Sequence, residues 1–372
     1  MQNIGAIMNK LNVEDAEFIA KTICNYFDRF DRIDQFFEND KKDKMKNFQM
    51  GLPDIGIEDF IFNDFSIKPN DMEFKLQQVD DSSFRKQASL TASFPINQRP
   101  GRNLNYFVIE LNTQKLVGQI SLGSPVMYMG PRLKVDNLKL LNYRSYNGFV
   151  IVPTQPFGFN YLGGKLLALI CSSHEVRQDF NDKFDTDIAL FETTSLYGET
   201  KSVSQYDGLK PFVRNNGLTT SDFIPNLPND VFNNIKDFIE QKLDMFFDTN
   251  QSSVKFKLTK KFLSIIKTSL KENNSYYYDT YIQSLENAKK INQKKGYYTS
   301  HFGFENVAEV LEGSETDLKI GDNFQKHYLS NVVKWWKRKA TKRYDKLLSE
   351  NRLINNVELW APQREKPENI IR

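Results

Sequence analysis

Three stretches of this chain concentrate residues able to do chemistry. In the first, the apolar run GFVIVP leads into TQPFGFNYLGG and then into a helical pattern starting at about Gly163–Lys165. The unpaired N–H groups and positive dipole end of a helix start can hold a phosphate or another anion. Gly158, Gly163 and Gly164 would let backbone approach such a ligand, beside Asn160, and Lys165 would add charge. The plainer alternative is a tight strand-to-helix connection. The second stretch, residues 191–214, follows an apolar strand, where open sheets place their sites. It offers Glu192, Tyr197, Ser204, Tyr206 and Asp207. Glu192 can serve as a general base if burial raises its pKa. The alternative is a surface loop rich in capping residues. The third stretch, KWWKRKATKRYDK at 334–346, holds seven basic residues, one acid and three aromatics. On a helix, Lys334, Arg338, Lys342 and Lys346 form one stripe, with Lys337 and Arg343 close by. Such a stripe suits phosphates, and Trp335 and Trp336 can stack on bases or anchor the helix.

Other chemistries find little support. His174, His301 and His327 are too scattered to argue a metal site. There is no Walker A motif, HExxH or nucleophile elbow. Cys24 and Cys171 cannot build a disulfide framework, and Cys171, in LLALICSS, is expected to be buried and inert. Aromatics at 13% exclude a mostly disordered chain. No run approaches the roughly 18 apolar residues of a membrane span. The first residues do not read as a signal peptide, so a reduced, cytoplasmic protein without membrane contact is expected. Net charge is +3 but uneven: residues 1–80 hold 10 basic and 16 acidic residues, and residues 251–372 hold 23 and 14. The basic end suggests a polyanionic partner, although lysines that merely solvate helices give the same count.

The elements that must position these residues fall into three segments. Apolar residues from Phe18 to Phe37 recur at three- and four-residue steps, which predicts helix over 12–50 with Asn12 as cap. Residues 51–71, rich in Gly, Pro and Asp, read as a linker. From 72 the pattern turns to strands: EFKLQQV, NYFVIELN, KLVGQISLGSP, GFVIVP and DIALFETT, with a helix or turn over 81–93. KLLALICSSHEVRQDFNDKF reads as one amphipathic helix before the last of these strands. Residues 195–217 read as irregular, and from about 227 the chain reads as helical to its end. The expected domains are therefore 1–71, 72–225 and 226–372.

The order of the middle motifs resembles the DruA-type family, found in phage genomes and in bacterial anti-phage (Druantia) islands. The likeness rests on Leu116–Pro125, Phe149–Pro153, Asn160 to Leu162 and Phe191–Thr193, within about residues 72–225. The same arrangement is similar to the centre of a GNAT acyltransferase, as used by Mom-type phage proteins that modify adenine in DNA. That resemblance implies an α+β fold with a GNAT-like mixed central sheet, flanked by helical regions. It implies an acyl-CoA or related phosphate-bearing donor held by Gly158, Asn160, Gly163, Gly164 and Lys165. Glu192, Tyr197, Ser204, Tyr206 and Asp207 would then line the reaction centre. The loop departs from the GNAT pattern, since Asn160 stands where a small residue belongs and Pro156 removes an N–H.

The leading expectation is a group-transfer enzyme acting on a nucleobase in DNA. Lys334, Lys337, Arg338, Lys342 and Arg343 would contact the nucleic acid. The alternatives are a non-catalytic nucleic-acid-binding protein on a degenerate GNAT-like fold, or a phage structural or assembly protein.

Overall fold

The computed structural model describes residues 10–46, 57–94, 96, 101–126, 132, 135–195, 204–219, 227–248, 254–291 and 294–360. Tyr197 lies outside them. The helices begin with α1 (Val13–Phe27), α2 (Ile33–Lys46), α3 (Ile57–Phe60), α4 (Asp81–Thr91), α5 (Leu138–Arg144), α6 (Phe157–Tyr161) and α7 (Gly163–Cys171). They continue with α8 (His174–Phe184), α9 (Asn229–Leu243), α10 (Val254–Glu272), α11 (Tyr278–Ile291), α12 (Val307–Glu312) and α13 (Leu329–Ser349). The strands are β1 (Phe74–Val79), β2 (Asn103–Glu110), β3 (Lys115–Gly123), β4 (Ser145–Pro153), β5 (Leu190–Ser195), β6 (Arg214–Leu218) and β7 (Gly296–Ser300). None of the described helices is long and apolar enough to cross a membrane.

The chain divides into two compact units, not three consecutive segments. One comprises residues 1–40, 98–100 and 221–293, and the other holds the rest. The helical unit forms because distant amphipathic helices share one core. Ile19, Ile23 and Phe27 of α1 join Ile235 and Ile239 of α9, Phe262 and Ile266 of α10, and Tyr281 of α11. Asn12 caps α1 by accepting from the Asp15 amide at 2.8 Å. Ser269 accepts from the Leu11 amide at 3.0 Å, and Ser284 donates to Asp28 at 2.8 Å. Phe18, which belongs to the expected apolar set, is 58% exposed. The predicted helix over 12–50 is two helices, broken between Phe27 and Ile33.

The other unit is a mixed α+β domain around one seven-stranded sheet, in the order β1-β2-β3-β4-β5-β7-β6. Only the β4–β5 pair is parallel. Alternation along β2 sets the two faces. Leu104, Tyr106 and Val108 join the main core with Leu167 of α7 and Trp336 of α13. Phe107 and Ile109 pack with Phe84 and Ala88 of α4. The five expected strands stand at β1 to β5. Strand β7 is unexpected: GYYTS lies among strongly helical sequence, yet inserts between β5 and β6 with every residue buried. The predicted long helix after the glycine loop is interrupted. Ser172 and Ser173 hydroxyls donate back to Leu169 and Ile170 carbonyls at 2.8 Å, and Ser173 then caps α8. Helix α13 belongs to this unit, so the C-terminal helices do not form a domain of their own.

Candidate functional site

Strand β4, the glycine loop, α7 and β5 stand in the expected strand–loop–helix–strand order. The parallel pairing of β4 with β5 runs from Ser145 opposite Leu190 to Gly148 opposite Thr193, and β4 continues to Pro153 without that partner. The notch this leaves beside α7 is filled by the chain itself. The Gln205 side chain donates to the Ile151 carbonyl at 3.2 Å and occupies the space a Cβ on Gly164 would take. A Cβ on Gly163 would meet the Phe157 ring at 2.6 Å, and one on Gly158 would meet Gln155 at 2.5 Å. These glycines therefore serve close packing. The Lys165 ammonium donates to the carbonyls of Gln205 and Asp207, and burial holds its pKa below the ordinary lysine value. Asn160 is fully buried and clamps Ile354, donating to its carbonyl at 2.8 Å and accepting from its amide at 3.2 Å. The side chains of Asn160 and Lys165 are committed to protein atoms and Gln205 occupies the space beside Gly164, which counts against a phosphate-bearing donor in this loop.

Glu192 is fully buried on β5. Arg132 Nη1 donates to both of its oxygens, at 3.1 and 2.9 Å, and Tyr297 OH donates at 2.5 Å. Burial raises the carboxyl pKa, while Arg132 and Tyr297 pull it down. Burial and the neighbouring carboxylate push the Tyr297 phenol up. Ser204, Tyr206 and Asp207 form a second cluster. The Ser204 amide donates to Asp207 at 2.7 Å, the Tyr206 amide to Ser204 Oγ at 3.2 Å, and Tyr298 OH to Asp207 at 2.9 Å. Asp207 thus staples a turn beneath the ring of Tyr206, whose centroid lies 5.2 Å from that of Tyr298.

The two clusters do not share a site. Glu192 bonds Tyr297 and Asp207 bonds Tyr298, which are successive residues of β7. Successive strand residues point to opposite faces, so the sheet separates the clusters. The expected single reaction centre is corrected accordingly. Arg132, Gln205, Tyr297 and Tyr298 are the residues the sequence reading missed. The only signal for the tyrosines was the short run GYYTS, which β-propensity alone could have marked.

Helix α13 separates its basic residues by face. Lys334, Arg338 and Lys342 are exposed, and none has a carboxylate or hydrogen-bond partner among the described residues. Lys337 donates to the Asn70 carbonyl at 3.0 Å, and Arg343 to the Phe159 carbonyl at 3.4 Å, so these two anchor the helix. Trp336 is fully buried and donates to the Tyr161 carbonyl at 3.0 Å, which removes it from base stacking. Trp335 is partly buried against Phe212, ring centroids 5.6 Å apart. Lys346 lies 3.8 Å from Glu350. His174 and His327 face carbonyls of Phe324 and Ser172, each at 2.8 Å. Among the described residues no group of His, Cys, Asp or Glu could hold a metal ion. Cys171 is fully buried, and burial raises its thiol pKa.

Residues 30–209 match the family model of Druantia protein DruA. Druantia protein DruA of Escherichia coli (strain UMEA 4076-1) is 24% identical over 207 residues, which is 48% of this chain and 50% of that protein. The chain thus spans about half the length of the curated relative it matches. No solved structure matches it significantly.

Proposed function

We infer, from a chain whose residues 30–209 match the DruA family model, that the protein binds nucleic acid through α13 and does no group transfer at the glycine loop. One observation carries this reading: Lys334, Arg338 and Lys342 form an exposed stripe, with Asp345 the one acid on that face, and none of the three has an ion-pair partner among the described residues. Successive members rise about 6 Å along the helix axis. Their side of α13 is held firmly, because Trp336 and Tyr344 bury the opposite face and bond carbonyls at 3.0 Å. Cations presented this way attract phosphates by counter-ion release and carry no base preference. The resemblance to DruA-type proteins makes invading phage DNA the expected target.

Mom-like transfer to a nucleobase would need an open donor cleft and a reachable acid or base. Gln205 fills the first, and Glu192 has no exposed surface. The test is DNA binding by the full chain, measured against salt, beside the Lys334→Ala, Arg338→Ala, Lys342→Ala triple variant. Salt-sensitive binding that the triple variant weakens supports the reading, and unchanged affinity overturns it. Nucleoside mass spectrometry of DNA from expressing cells is expected to show no new base. A modified base that disappears with Glu192→Gln would restore the transfer reading.

A further inference from the structure

A half-buried cation without a counter-charge sits at the opposite end of the sheet from the glycine loop. Arg102 precedes the first residue of β2, and its Nη2 donates to the Ser145 carbonyl at the start of β4, at 3.0 Å. Its amide donates to Ser124 Oγ at 3.2 Å, and its Nε approaches the same oxygen at 3.5 Å. The guanidinium lies over the rings of Phe180 and Phe184, 4.9 and 5.9 Å from their centroids. No carboxylate faces it among the described residues, and burial lowers its pKa with no acid opposing that effect. Asp187 is held between Arg144 and Arg177, and the exposed Asp185 stands between Phe184 and Thr186 without an ion-pair partner among the described residues.

This cation lines an open, shallow cleft of about 570 Å³, together with Ser124, Asn142, Tyr143 and Phe184. Asn142 is exposed and has no hydrogen-bond partner among the described residues. The Ser124 hydroxyl accepts from Arg102, which leaves its proton to donate. Tyr143 is 43% exposed, and Phe184 is partly buried. The cleft therefore offers an uncompensated guanidinium, a hydroxyl and an amide beside two aromatic side chains. A charge taken partly out of water is costly unless paired, and an anionic ligand supplies the pair. Aromatic side chains beside it favour an anion joined to a flat ring.

We propose that the Arg102 cleft binds a nucleoside phosphate, either a free nucleotide or the phosphorylated end of a nucleic-acid strand. The phosphate meets Arg102, Ser124 and Asn142, and the base lies against Tyr143 and Phe184. This site is independent of the α13 stripe, so the two can fail separately.

The full chain is titrated by calorimetry with adenosine 5′-monophosphate, adenosine and inorganic phosphate. Single-stranded oligonucleotides with 5′-phosphate or 5′-hydroxyl ends distinguish a strand end from a free nucleotide. The expected result is that the phosphorylated member of either pair binds better. Arg102→Gln should weaken it by roughly tenfold or more. Tyr143→Ala, on a side chain 43% exposed, should weaken it as well, with thermal unfolding checking that the variant is folded. The α13 triple variant should bind the mononucleotide as the unaltered chain does. The proposal is overturned if no phosphorylated probe is preferred, if inorganic phosphate binds as well as the nucleotide, or if Tyr143→Ala changes nothing. Dependence of mononucleotide binding on the α13 lysines would also overturn it.

Discussion

Replacing Lys334, Arg338 and Lys342 together by alanine removes three exposed cations and no packing contact of the described residues. Each cation that neutralises one phosphate of duplex DNA adds about 0.9 to the slope of log affinity against log salt. Three of them therefore account for a slope of about 2.7. Between 50 and 200 mM salt that slope corresponds to roughly a 40-fold change in affinity, which the variant should lose. Fluorescence anisotropy on one labelled duplex, repeated across that salt range, measures both slopes. The loss should be equal on unrelated duplex sequences, because phosphates carry no sequence information. Alanine is a good helix former and the positions are exposed, so stability should change by no more than about 0.5 kcal/mol. Lys337→Ala is the internal contrast. Its ammonium is already bonded to the Asn70 carbonyl, so the slope should barely move. If the triple variant keeps the full slope, α13 does not face DNA, whatever else the protein binds.

Other perturbations test the core that holds this helix. Arg132→Ala strands the fully buried Glu192 carboxylate and should cost about 3–5 kcal/mol in urea unfolding, whereas Arg132→Met with Glu192→Met should cost less. His327 is fully enclosed, and burial lowers its pKa from 6.5 to about 4. The unfolded chain thus binds the proton more readily, so this histidine's contribution is present above pH 6.5 and is lost as pH falls toward about 4. The contribution is about 3 kcal/mol at most, and His327→Gln should flatten the stability curve across that window relative to the unaltered chain. An unchanged pH dependence would show that the ring titrates alike in the folded and unfolded chain. Trp336→Ala should cost about 3–5 kcal/mol by thermal unfolding, since it removes a buried ring and its hydrogen bonds to the Tyr161 and Leu162 carbonyls.

Much of the architecture was legible because it is local. The periodicity of α1, the cap at Asn12, the short strand runs of β1 to β5 and the basic stripe of α13 each depend on residues a few positions apart. The candidate site was legible only as a set of residue types. Gly163, Gly164 and Lys165 do stand at a helix start after an apolar strand, as the pattern requires. What fills the space before them is Gln205, forty residues away and inside a stretch that reads as irregular. Likewise, Glu192 and Asp207 look like neighbours in one polar segment, and the sheet separates them.

The sequence alone thus determined the elements and which face of α13 is charged, because helix and strand periods are properties of short runs. Only the tertiary structure decided that 1–40 joins 221–293, that β7 enters between β5 and β6, and that the glycine loop is closed by the chain's own side chains. Those outcomes depend on pairings between segments far apart in sequence. A strand's side chains acquire a definite face only once its register with a partner is fixed.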